Sequence, residues 1–439
     1  MQQTLLALFL ATAPAPPAEV GPWTPAVQPP AASPPALPVP AEPPADATPA
    51  APPTTPVAAS PPAASVLAAQ PAPTSASDKK PARSPALGSA DATVFNTPPD
   101  PEFEVTRARY KFGKGFTVAS ADGRFSLQIR GRLQFRYELS HPGVPDEPTR
   151  HAFFVRRFRL LFQGNVFSPF IKYYFQFGFS KDDTQSELPR EPGSSRYIPI
   201  RDARIQFERL RDFNVWVGQM KVPFSRQRVN SSSALNMPDR SLVNSEFNLS
   251  RDLGVLFTSQ DLGGLGGRLA YYAGVFMGEG RNAFDLRDFG MLYVGRLEVR
   301  PFGKFDDYTE GDLARSKTPG LSIAGAYAYQ DRAHGVRGVT GDPPPDGGTT
   351  NFHHVNADIL LKWRGLSLAT AFHLRRGVHR IGGGAVDETG TPIPTAPARQ
   401  GIGWLGQLGY LVPKIPLELV ARYALIRNIY GAASSMPNA

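Results

Sequence analysis

The chain has 439 residues, 46 of them Pro and 41 Gly, no cysteine, and a formal net charge of +9. The lack of thiols excludes a disulfide framework and Cys-ligated zinc or iron–sulfur centres, and no apolar run approaches the roughly 20 residues of a membrane-spanning helix. The cationic excess points to acidic partners (nucleic acid, anionic lipid or small anions), and the placement of the arginines must choose among them.

At the N-terminus, Leu5 to Ala13 (LLALFLATA) is a short apolar run followed by small residues, with no Lys or Arg before it. It reads as the central region of a secretory signal peptide over 1–18. Residues 19–115 are expected to form a disordered spacer. From Pro14 to about Pro85 they are almost all Pro and Ala, too poor in apolar bulk to offset the entropy of ordering and biased towards extended polyproline geometry. Folded structure is then expected over 116–439.

The stretch Arg124 to Leu139 (RFSLQIRGRLQFRYEL) alternates without a break. Phe125, Leu127, Ile129, Leu133, Phe135, Tyr137 and Leu139 fall on one face of a strand, and Arg124, Arg130, Arg132 and Arg136 fall on the other. It is longer than the roughly 9–11 residues a tilted strand needs to cross a bilayer, so lipid on one side and water on the other would account for both faces. A long strand of a soluble sheet would alternate too. After a Pro/Gly/Asp turn, Phe154, Phe158, Leu160 and Phe162 alternate with Arg157, Arg159 and Gln163, and a short link leads to the strand Ile171 to Phe179. Long loops and tight turns then take turns through about thirteen strands, the last at Leu417 to Leu425. That rhythm is the pattern of an outer-membrane barrel, since strands span lipid only as a closed barrel. Thirteen is an odd number where single-chain bacterial barrels use even ones, and the chain ends in GAASSMPNA, so about three C-terminal strands are expected to be missing.

Between Val215 and Val255 the residues Gly218, Gln219, Lys221, Pro223 and Phe224, then Arg240, Ser241 and Leu242, then Arg251, Asp252, Gly254 and Val255 stand in ordered motifs. They resemble the phosphate-selective porin O and P family, as do Phe154 to Phe177 and Ile200 to Phe207 in the same order. The resemblance covers roughly Asp122 to Ile426. It implies an all-β, sixteen-stranded transmembrane antiparallel barrel in the bacterial outer membrane. It also implies a homotrimer, with one long loop folded inward as a basic constriction that passes phosphate or related anions. Lys221 to Ser250 would be that loop, and Lys221, Arg226, Arg228, Arg240 and Arg251 its cations.

On the residues alone, Arg124, Arg130, Arg132, Arg136, Arg157 and Arg159 are the expected wall charges, because guanidinium groups replace part of an anion's hydration with planar donor pairs. Each could instead balance a nearby carboxylate or bind lipopolysaccharide at a rim. The expected partners are therefore outer-membrane lipid, lipopolysaccharide and small anions, with no nucleic acid and no cofactor. Enzymatic readings find little support. His353 and His354 are adjacent on a strand and so face opposite sides, GGLGG precedes a strand instead of opening a helix, and Ser231 to Ser233 have no companion His or Asp pattern. Two other readings stay open: a secreted β-rich binding protein or carbohydrate-active enzyme with a basic face, and a barrel that anchors without conducting.

Overall fold

A computed structural model describes residues 105–439 apart from 112, 142–147, 185–198, 283–289, 384–385, 388 and 394. The signal segment 1–18 and the spacer as far as residue 104 lie outside the described residues. The strands are β1 (Val105–Lys111), β2 (Gly115–Ser120), β3 (Ser126–Ser140), β4 (Arg150–Asn165), β5 (Ile171–Gly178), β6 (Ile200–Phe207), β7 (Asn214–Lys221) and β8 (Arg251–Ser259). They continue as β9 (Leu269–Phe276), β10 (Leu292–Val299), β11 (Gly320–Ala333), β12 (Thr349–Trp363), β13 (Leu366–Arg380), β14 (Gly401–Leu411) and β15 (Glu418–Arg427). Three short helices, α1 (Lys181–Thr184), α2 (Arg226–Val229) and α3 (Leu242–Phe247), lie in the links.

All fifteen strands form one sheet in chain order, and every neighbouring pair is antiparallel. The thirteen strands read from the sequence are β3 to β15. The two others precede or overlap Phe116, where folding was expected to start. Strand β1 (VTRARYK) has almost no apolar face for a periodicity search to find, and pairing with β2 across the turn at Gly113 defines it instead. Gly113 has φ +73°, a left-handed conformation that suits glycine. Among the described residues no pairing joins β15 to β1, so the barrel is not closed.

The burial pattern is the inverse of a soluble sheet. On β3, β12, β13 and β14 the solvent-exposed side chains include Phe135 (57%), Tyr137, Ile359, Trp363, Leu368, Phe372, Trp404 and Leu408. The buried ones include Asn356, Asp358, His373, Arg375 (0%) and Gln407. Burying charge while leaving aromatic rings outside costs free energy in water, and hydrocarbon outside the sheet reverses that cost. No described helix is long and apolar enough to cross a membrane, whereas β3, β4 and β11–β13, at 14 to 16 residues each, exceed what a tilted strand needs.

The sheet curls around the link from β7 to β8. Asp239 of that link receives side-chain bonds from Arg136 of β3 and from Arg156 (3.0 Å) of β4, while its carbonyl accepts from Arg422 of β15 at 2.8 Å. One residue therefore spans the opening between the two ends of the sheet. A second segment enters from the opposite end. The β10–β11 link, residues 300–319, lies at the end where all other links are short turns, and its Glu310 meets the first segment at Asn236 (3.0 Å) and Ala234 (2.9 Å). The sequence gives no hint of this second inward link.

Candidate functional site

Two interruptions of the alternation shape the interior. Between β3 and β4 the register steps from Gln134↔Arg157 to Phe135↔Val155, which leaves Arg156 as an extra residue. A bulge of this kind turns two consecutive side chains to one side. Arg156 and Arg157 accordingly both reach Asp239, at 3.0 and 3.4 Å. Beyond the bulge the phase is reversed. Phe154, expected on the apolar face, sits opposite Arg136, and Phe153 and Val155 are the exposed residues instead. Between β5 and β6 the register steps from Gln176↔Asp202 to Phe177↔Ile200, and the extra residue is Arg201. Its buried guanidinium donates to Asp183 at 2.7 Å.

The β7–β8 link is fixed by Lys221 at the end of β7 and by Arg240 within it. Pro223 follows β7, and α2 ends near the carbonyls of Val229 and Asn230, which accept from Lys221 at 2.7 and 3.0 Å. Arg240 donates to the carbonyls of Gln227 and Asn230, both at 2.7 Å. Positive groups gathered at these carbonyls complement the partial negative charge of a helix C-terminus. Burial, and then the charges of Arg228 and Arg251, hold the Arg240 guanidinium well below its usual pKa. Ser241 caps α3 by accepting from the Asn244 amide at 3.1 Å. The apolar residues Val222, Phe224 and Leu249 pack on Leu256, Tyr272, Phe276 and Leu292. The inward face of β8–β10 is therefore apolar where the link covers it.

Three acid–base clusters tie this link to the wall. Arg226 pairs with Asp358 (2.8 Å) and Asp307 (3.1 Å) and donates to Ser322 (2.7 Å), beside Arg296 and Arg300, which bind Asp358, Glu298 and Asp307. Asp239 binds Arg136, Arg156 and Arg157. Glu246 binds Arg375 and Arg399. Burial pushes the Asp239 and Glu246 carboxyls up, but the guanidinium bonds and charges around them outweigh it and hold both below the usual range.

Beside these clusters lies a cavity of about 680 Å³, lined in part by Arg130, Arg132, Arg159, Arg201, Arg204, Arg240, Arg251 and Lys221, with Asp202 the only acid in its wall among the described residues. Arg132 and Arg159 donate to Ser232 at 2.7 and 2.9 Å. Arg159 and Arg201 share Asp183, and Arg251 pairs with Asp202 at 3.1 Å. Burial raises the Asp183 carboxyl, but the Arg159 hydrogen bond and the charges of Arg201 and Arg159 hold it at about 2. The Nε atoms of Arg130, Arg132, Arg201 and Arg204 are buried with no hydrogen-bond partner among the described residues.

The expected site residues therefore separate. Arg130, Arg132, Arg159, Lys221, Arg240 and Arg251 border one cavity. Arg136 and Arg157 are held on Asp239, and Arg226 is locked in its ion network across the interior. Arg124 is half-exposed at a strand end near Asp122 and the Phe167 carbonyl. Arg228 donates to Ser250, and two of the expected loop cations belong to strands rather than to the link, Lys221 ending β7 and Arg251 opening β8. The sequence reading did not select Arg201 or Arg204. Arg204 already stood on the polar phase of its strand, and Arg201 was hidden by the bulge. Of the histidines, His353 lies outward against Tyr327 and Tyr329, and His354 is buried inward. Among the described residues no group of His, Cys, Asp or Glu could hold a metal.

An all-β sheet that is oily outside and charged inside, with strands long enough to cross lipid, defines an outer-membrane barrel protein of the porin class. Residues 127–306 match the family model for phosphate-selective porin O and P, which supports membership of that family. The match and the single antiparallel sheet together place it in the outer membrane among porin-type proteins. No curated protein matches the chain by direct sequence comparison.

Proposed function

We propose that the protein is an anion-selective diffusion channel in which the inward link 221–250 forms the constriction and the arginine-lined cavity is the stretch that draws phosphate-type anions from solution. The observation that carries this reading is the charge of the cavity wall, where seven arginines and Lys221 are set against two carboxylates, Asp202 in the wall and Asp183 shared by Arg159 and Arg201. Guanidinium groups held in a partly dehydrated site attract anions more strongly than the same groups would in open water. Arg204 makes no hydrogen bond among the described residues, so its terminal N–H groups are the ones that would replace water around an arriving oxyanion. Arg130 and Arg132 suit a test because neither has a carboxylate partner among the described residues, so neutralising them uncovers no acid. The double variant Arg130→Gln/Arg132→Gln is expected to shift the reversal potential in a KCl gradient towards cations and to weaken block by phosphate about tenfold. An unchanged reversal potential would rule out the cavity as the ion path. Measurable conductance of either form rules out a barrel that serves only as an anchor.

A further inference from the structure

The cavity is larger and more apolar than a bare oxyanion requires. At about 680 Å³ it has room for roughly twenty water molecules and falls within the ~300–1,000 Å³ range of sites for small organic ligands. Between its arginines stand Leu161, Met220, Leu256, Trp216 and the Tyr272–Tyr308 pair, whose hydroxyls lie 2.7 Å apart. Leu161 is notable because it occupies the inward phase of β4 between Arg159 and Gln163, is buried, and lies outside the apolar cluster that packs the inward link. A path for inorganic ions alone gives no reason for a leucine there.

Arg204 supplies the polar counterpart. Its guanidinium lies over the ring of Tyr174 at 4.3 Å and the ring of Trp216 at 4.8 Å, so aromatic faces hold its plane. It makes no hydrogen bond among the described residues, and its buried Nε has no partner. Stacking occupies the faces of a guanidinium and leaves its edge donors available for a carboxylate or phosphate. Arg201, more than nine-tenths buried in the same wall, also has an unpartnered Nε.

Building on the anion-channel reading, we infer that this cavity selects organic anions, a phosphate or carboxylate group carried on an aromatic or similarly apolar body, over bare inorganic oxyanions. The charged end would meet the edge donors of Arg204, Arg201, Arg130 and Arg132, and the body would lie against Leu161, Leu256 and the tyrosine pair. Phenyl phosphate and inorganic phosphate are a suitable pair of probes, because at pH 8 both are mainly dianions and they differ by one ring.

The test uses the full chain reconstituted in planar bilayers in KCl, each probe being titrated as a blocker. Phenyl phosphate is expected to block at about tenfold lower concentration, the gain for covering one face of a ring. Leu161→Ser is expected to reduce that ratio while leaving inorganic phosphate block within about twofold. Calorimetric titration of the folded protein in detergent gives the same comparison where a variant inserts poorly. Equal or weaker action of phenyl phosphate, together with block by inorganic phosphate, overturns this inference and leaves the anion channel standing. Cation preference, with neither probe acting, overturns both.

Discussion

Asp239 is the point at which the inward link meets both ends of the sheet, so its loss should be felt first in the link. In Asp239→Asn the side chain keeps its shape and one acceptor oxygen but loses the charge that holds Arg136, Arg156 and Arg157. Breaking a buried ion pair from one side costs about 3–5 kcal/mol. Asp239 is 17% exposed and Arg156 23%, which discounts that figure to about 2–4 kcal/mol through solvent screening. The strands' own ladders do not pass through Asp239, so the cost should appear as undocking of the segment around residues 231–241. Each 1.4 kcal/mol is about tenfold in population, so amide hydrogen exchange across that segment should quicken by roughly 30- to 1,000-fold while β11–β13 stay protected. The variant should also become more anion-selective, since one negative charge is removed from beside three guanidinium groups, of which Arg136 keeps its pair with Glu138 at 2.6 Å. Unchanged exchange over 231–241 would refute the claim that this carboxylate docks the link.

The same acid has a predictable pH profile. Its folded pKa is depressed, so its contribution is fully present above the unfolded value near ~3.9 and is lost as pH falls through the lower folded value. The difference in thermal midpoint between wild type and Asp239→Asn should therefore be constant from pH 8 to 5 and shrink only in more acidic buffer; a difference that disappears by pH 6 would contradict the assignment. On the outer face, Leu133 is 54% exposed on β3, and Leu133→Arg should cost ~2–4 kcal/mol if it lies near the bilayer midplane. Urea titration in lipid vesicles reads that loss, and wild-type stability would show that lipid does not cover this row. Arg226→Glu would place a fourth acid among Asp358, Glu298 and Asp307, so it is expected to lower the thermal midpoint and loosen the link; altered selectivity with the midpoint intact would contradict that placement.

Much of the architecture was legible because lipid and water impose a period of two on each strand. All thirteen apolar rows found in the sequence became β3 to β15 in the expected order. Failures came where that period is broken or unneeded. The bulges at Arg156 and Arg201 each turn an additional arginine inward, and no residue-by-residue alternation can place a bulge that is defined by the partner strand. Strand β1 lacks an apolar row altogether. The motif resemblance pointed to the β7–β8 link but not to its anchors, because Asp358 and Glu298, which meet Arg226, and Glu418, which accepts from Asn236 at 3.1 Å, lie far along the chain and only curling of the sheet brings them near. The β10–β11 link escaped for the same reason: its acids look like those of any exposed turn until Arg226 and Gln407 are seen to meet them.

The arrangement of charge inside the sheet also explains why so many arginines can coexist without competing for the same task. Arg226, Arg296 and Arg300 are matched by Glu298, Asp307 and Asp358, a balanced network on the β10–β12 side in which each donor group meets an acceptor. An anchor built this way offers a passing anion little, because capturing an arginine would require pulling it from a buried carboxylate. The cavity arginines differ: Arg130, Arg132 and Arg204 have no acid within bonding distance among the described residues, and each retains an unused N–H. On the proposed anion-channel reading, separating the two sets would let the link stay fixed while anions exchange beside it. Had the same residues served both purposes, an anion binding in the cavity would have loosened the segment that shapes it.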